Sequence, residues 1–318
     1  MEAALQVEHG RIPPGLAASS RFRGFSPECE HRSNKFKVES NMAVESMREA
    51  WLKCGFGSRE IGKRYGIYLD GVKDLDYSAK DVEIFSVMLS EFQDREFFLT
   101  SAGLFLSALV NNCKEDGVTI HTTHLVRPIY YIGWMNTKNM IVDGNAGFLV
   151  GTNMLSGSIT VNGDADEMVG DRMEGGTIIV RGNADKHVGL SMKGGDITVG
   201  GNVRDAAGWE MVGGRIVVGG DAGDRVGCGM RGGAIIVSGH AEDEVGFAMA
   251  GGTIVVGSAG HRVGWDMKGG AILVRGDAGV SVGLVMKGGR IHIYGDYGSI
   301  ADDRSGKIFH KGELIFPK

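Results

Sequence analysis

A chain of 318 residues, 42% of them hydrophobic, is long enough for one large or two ordinary domains and too apolar to be mostly disordered. Its formal net charge of -5 excludes the basic balance that non-specific binding to nucleic acid or anionic membranes requires. The 53 glycines, against 5 prolines, demand positive φ or close backbone approach many times over. Cys29, Cys54, Cys113 and Cys228 are scattered, with no C-x-x-C pair and no histidine at ligand spacing, which speaks against a zinc site, an iron–sulfur cluster or a disulfide framework. No stretch approaches the ~18 apolar residues of a membrane span, and the N-terminus lacks a signal-peptide pattern. The expectation is a cytoplasmic protein with reduced thiols, no metal and no cofactor.

Residues 1–40 are polar and irregular, with Pro13, Pro14 and Pro27, and read as a disordered tail. Residues 41–117 read as a helical N-terminal domain or cap. Met42 to Cys54 places Val44, Met47, Trp51 and Leu52 on one helical face. Gly57 to Ile67 has a weak helix-turn-helix character, with Ile61 and Ile67 flanking a turn at Gly66. The segment that follows carries Asp70, Asp74 and Asp76 against Lys73, which favours a packed helical cap over a DNA-binding face. Ser78 and Asp81 form a capping-box start for a helix through Phe92, with Val82, Phe85, Met88 and Leu89 inward. Thr100 or Ser101 can cap a third, very apolar helix from Ala102 to Val110, which must be buried.

From Val118 to the end, residues 118–318, the sequence is a repeat. Met154, Met173, Met192, Met211, Met230, Met249, Met267 and Met286 recur every 19 residues, with one step of 18 between Met249 and Met267. The unit is G-x-A-x-x-x-V-G-x-x-M-x-G-G-x-I-x-V-x, and such a fixed period signals a solenoid of about eight coils. A degenerate copy precedes them (Tyr131 to Gly144) and a partial one follows (Lys307 to Phe316). The I-x-V core, from Ile159 and Val161 to Ile291 and Ile293, is a strand with its branched residues on one face. Asn145, Asp164, Asn183, Asn202, Asp221, Asp277 and Asp296 follow the strand and can form a hydrogen-bonded ladder between coils. One coil buries too little to stand alone, so stability is shared with its neighbours and the open ends need caps.

The V-G-x-x-M-x-G-G-x-I-x-V core resembles the GXGXG β-helix found in the C-terminal domain of the glutamate synthase large subunit and in a non-catalytic subunit of formylmethanofuran dehydrogenase, over about residues 141–296. The resemblance implies a mainly β chain forming a right-handed parallel β-helix. It also implies a structural role, holding catalytic domains or subunits together, with no catalytic residue to carry over.

Other motifs give way to plainer readings. Gly227-x-Gly229-x-x-Gly232 matches a dinucleotide fingerprint but lies inside the β-repeat, without the helix that the fingerprint needs. His121 and His124 would face opposite sides of a strand, so the pair suits surface or capping positions better than a metal. No activated nucleophile or carboxylate pair recurs at workable spacing. The position after each V-G is more informative. It runs Thr152, Asp171, Leu190, Trp209, Cys228, Phe247, Trp265 and Leu284, so that Leu190, Trp209, Cys228, Phe247, Trp265 and Leu284 form a continuous apolar ladder. Such a strip marks a partner-docking face, a surface covered by the chain's own helices, or core. The function expected is a non-catalytic scaffold subunit that docks onto the catalytic subunits of a multi-subunit redox enzyme. The alternatives are a stand-alone adaptor, with homo-oligomers in place of such partners, and an enzyme with an unrecognised site. Nucleic acid and membrane are not expected as partners.

Overall fold

Asn41 caps the first helix: its Oδ1 accepts from Val44 N–H at 2.9 Å and starts α1 (Met42–Cys54), which buries Val44, Met47, Ala50 and Trp51. The computed structural model describes residues 41–55, 58–302 and 305–317, and the tail expected over residues 1–40 lies outside them. α2 (Ile61–Val72) runs unbroken through Gly66, so the turn expected there does not form. Tyr65, Tyr68 and Val72 supply a helical apolar face whose burial outweighs the glycine penalty of about 1 kcal/mol. Ser78 and Asp81 close the expected capping box on α3 (Ala79–Met88), and a single 3-10 turn (Leu89–Phe92) continues it. α4 (Phe98–Asn112) begins earlier than expected: its N-cap is Phe97, held at φ 58 without a side-chain cap bond. Thr100 and Ser101 therefore lie inside the helix. Trp51, Tyr68 and Phe85 all pack on Phe105, with ring centroids 5.2–5.6 Å apart.

Several polar links join the helices to the β-region, two of them central. Ser107 Oγ on α4 accepts from Gly133 N–H at 2.9 Å, and α3 packs on β1 (Val118–His121). There His121 sits half-buried, with Nδ1 2.9 Å from Asp143 Oδ2 and Nε2 3.1 Å from Glu83 Oε1. It is a bridge between layers, whereas His124 lies in the following turn. Burial, then the neighbouring His121, pulls the His124 pKa below the usual histidine range. One hydrophobic cluster runs from Val44 to Ile308 without a break between helices and strands.

Beyond β1 come β2 (Asn139–Asp143), β3 (Ser158–Val161), β4 (Thr177–Val180), β5 (Asp196–Val199), β6 (Arg215–Val218) and β7 (Ala234–Val237). They are followed by β8 (His240–Ala241), β9 (Thr253–Val256), β10 (Ser258–Ala259), β11 (Ala271–Val274), β12 (Arg290–Ile293), β13 (Lys307–His310) and β14 (Glu313–Phe316). Among the described residues twelve strands form one sheet, stacked in sequence order with only β8 and β10 left out. All neighbours are parallel except β13 and β14, which end the stack as an antiparallel pair. The protein is a parallel β-helix. Its coils outnumber the eight expected, because β1, β2 and β13 come from copies too degenerate to show the full motif. Each full coil sends five side chains inward, as Ala184, Val188, Met192, Ile197 and Val199 do with no more than 1% exposed. In the coil that steps by 18, the path from strand to alanine shortens (Val256 to Ala259, against Val237 to Ala241), so the missing residue falls in a corner. β9 and β11 keep their register, Ile254 on Ile272.

The expected Asn/Asp ladder is present, and its bonds run between coils. Asn145 Oδ1 accepts from Asp164 N–H at 2.9 Å, Asp164 from Asn183 at 2.7 Å, Asn183 from Asn202 at 2.9 Å and Asn202 from Asp221 at 2.8 Å. His240 and Ser258 carry the column across the short corner, with Nδ1 and Oγ 2.8 Å apart. At the far end Lys311 Nζ meets Asp296 Oδ1 at 3.3 Å.

Candidate docking face

The backbone around each V-G step decides where the next side chain points. In the coil of His187 to Met192, Val188 is buried and Gly189 takes φ 68. Leu190 N–H then closes a tight turn on His187 O at 3.2 Å. Glycine suits this position because φ 68 strains any residue with a Cβ, and a Cβ there would also push Ile216 Cδ1 aside. A second positive-φ residue follows, Ser191 at φ 51, before Met192 turns back into the core. The residue between is thereby turned away from the inward column of Val188 and Met192. Hydrogen bonds from the next position lock the column together: Ser191 N–H donates to Trp209 O and Ala248 N–H to Trp265 O, both at 2.8 Å.

The ladder therefore lies outside the hydrophobic core. Thr152, Asp171 and Cys228 are buried, while Leu190, Trp209, Phe247, Trp265 and Leu284 are half-buried. Asp171 is held by its neighbour Arg172 at 2.7 Å, and burial pushes the Cys228 thiol up. The aromatic members are packed sideways rather than loose. Phe247 and Trp265 have ring centroids 4.9 Å apart, and Trp209 lies 5.3 Å from the His187 ring. The Arg262 guanidinium sits over Trp265 at 5.3 Å and pairs with the buried Glu244 at 3.2 Å, which also takes Arg225 Nε at 2.9 Å. This chain of contacts fixes the rotamers of a surface aromatic group, which lowers the entropy cost of using it as an anchor.

A family model for the GXGXG motif matches residues 100–275, more than half of the chain. The chain belongs to the GXGXG motif family. No curated protein matches it. Among solved structures, a chain of the formyltransferase/hydrolase complex from Methylorubrum extorquens, solved with methylofuran, is 30% identical. That alignment covers 52% of this chain and 58% of the other, with a TM-score of 0.40.

Within this GXGXG chain no group of three or more His, Cys, Asp or Glu side chains that could hold a metal occurs among the described residues. Nor is any described helix long and apolar enough to cross a membrane. The dinucleotide-like Gly227, Gly229 and Gly232 fall in corners between β6 and β7, with no helix after them. A cleft of about 610 Å³ opens where the turn before α4 meets Val126 to Tyr130. Asp94 and Glu96 share its lining with Arg95 and Arg127, so its charges largely cancel. Sequence reasoning overlooked a second surface column, the middle residue of each strand. Ile179, Val217, Ile236, Val255 and Leu273 point away from the core between buried Ile and Val residues. The signal was present in the runs TIIV, RIVV, AIIV, TIVV and AILV, which are apolar at adjacent positions and not only at alternate ones.

Proposed function

We propose that this GXGXG chain is a structural subunit that holds catalytic partner subunits of a multi-subunit enzyme, without chemistry of its own. The observation that carries the reading is the aromatic ladder, above all Trp265 packed on Phe247 and lying under Arg262, which Glu244 holds. Preordered aromatic and arginine side chains at a surface are what interface hot spots are made of. The resemblance to the β-helices of glutamate synthase and formylmethanofuran dehydrogenase points to redox or formyl-group enzymes as the partner class.

The test is purification of the tagged full chain from its own cells, as wild type and as Trp209→Ala/Trp265→Ala. At about 2 kcal/mol or more per anchor, the double variant loses a stoichiometric partner by roughly a thousandfold in affinity while its circular dichroism stays unchanged. Retention of the partner by a folded double variant removes the ladder from docking. Loss of the fold makes the ladder a structural element.

A further inference from the structure

We infer that His121 is a protonated clasp, an imidazolium that pins α3 to the first two rungs of the solenoid and loosens its hold as pH rises. Three elements meet at this ring. Glu83 comes from α3, His121 from β1 and Asp143 from β2, and all three side chains are partly buried. Nδ1 lies 2.9 Å from Asp143 Oδ2, and Nε2 lies 3.1 Å from Glu83 Oε1. A neutral imidazole has one N–H and one lone pair, whereas an ionised carboxylate can only accept. Either neutral tautomer would therefore set a ring lone pair against a carboxylate oxygen. Only the imidazolium donates on both sides, and each bond is then charge-assisted. The backbone fixes where the ring starts. His121 N–H donates to Ser86 Oγ of α3 at 3.0 Å, and His121 pairs with Asp143 in the parallel register of β1 and β2.

The charged groups around the ring favour this state. Lys80 Nζ holds the same Glu83 oxygen at 2.9 Å. Lys80 first, and then His121, keep the Glu83 carboxyl below its usual range against the pull of burial. The other oxygen of Asp143, Oδ1, accepts from Asn162 Nδ2 at 3.4 Å. His124, in the turn after β1, is the remaining titratable neighbour, and burial, then His121, disfavours its charge. The positive charge of the two histidines therefore belongs on His121. A cation that the fold favours in this way adds stability at low pH and loses it as pH climbs through the range where histidine deprotonates. Well below about pH 4 the carboxylates take up protons, and the clasp fails from the acid side as well. Val82, Phe85 and Met88 stay buried on the inner face of α3. The change is accordingly a local loosening of α3 on β1, and the cap stays folded.

The test is amide hydrogen exchange of the full chain at about pH 5.5 and about pH 8.5, corrected for intrinsic rates. Between the two, protection of α3 and of the His121 amide should fall about fivefold relative to the amides of β9 to β12. Glu83→Gln should cancel most of that difference, because its side-chain amide can donate to the lone pair of a neutral ring. His121→Gln should cancel it too, since the clasp then has no group that changes charge across this range. Nitrogen spectra of the wild-type ring at about pH 5.5 should show both His121 nitrogens protonated and both N–H protons shielded from exchange with water. That readout needs no variant to fold. Equal relative protection at both pH values, a pH effect that persists in His121→Gln, or a His121 ring with one protonated nitrogen or freely exchanging N–H protons at about pH 5.5 overturns the proposal.

Discussion

Asp166 stands one coil before Asp185, at the same place in the repeat. Burial, reinforced by Asp185, Glu167 and Asp164, pushes its carboxyl up to about 6. In the unfolded chain the same group titrates near 4. The folded state therefore holds the proton more tightly, and its stability falls as pH rises from about 4 through about 6. Asp166→Asn removes that cost. With the side chain only half-buried and screened by solvent, the gain is about 1 kcal/mol at pH 8 and nothing at pH 3.5, measured by urea unfolding at both values. Two glycines two coils apart separate space from conformation. Gly189→Ala meets both a positive φ and Ile216 Cδ1, and should cost about 3 kcal/mol. Gly229→Ala keeps a positive φ of 63 but meets only Glu210 Cγ at 3.5 Å, and the equivalent positions in other coils hold Ser191, Glu210 and Ala248. It should cost no more than about 1 kcal/mol in the same measurement.

At the level of elements, α4 is tied to the first coils by a side chain with no bulk to contribute. Ser107 Oγ is the partner of Gly133 N–H and lies 2.7 Å from Gly103 O within its own helix. Gly103 lets the helix approach so closely that a Cβ there would strike Tyr130 O. Ser107→Ala strands a buried N–H and should destabilise by about 2 kcal/mol. Hydrogen exchange should show the loss at Gly133 first, with the amides of β9 to β12 unchanged. Elements were legible where residue type and position coincided: Met, Ile and Val at fixed steps gave the strands, and Ser78 with Asp81 gave the start of α3. α2 was not legible, because Gly66 read as a turn and only packing against the other helices settles the matter. Gly71 is needed there because it admits Cys54 Sγ. The start of α4 was hidden for a different reason. Phe97 caps it through backbone conformation alone, and a left-handed phenylalanine has no signature in sequence.

The whole molecule follows nearest-neighbour rules, so its class could be read from one motif while its exact extent could not. Rungs such as β1 and β13 are recruited by the sheet edge beside them, and their own residues carry little of the pattern. The two surface columns differ in the same way. The aromatic ladder was visible because Trp and Phe stand out at a variable position, whereas the stripe on the sheet was masked by the inward Ile and Val to either side. The hydrogen-bonded stacking of coils has one more consequence. Because each coil rises by about 4.8 Å, the ladder is a ruler graduated in fixed steps. Trp209 and Trp265 are separated by three of them, about 14 Å, and no side-chain substitution can tune that interval. Only the gain or loss of an entire coil would change it, so any protein that grips both tryptophans must match a quantised spacing.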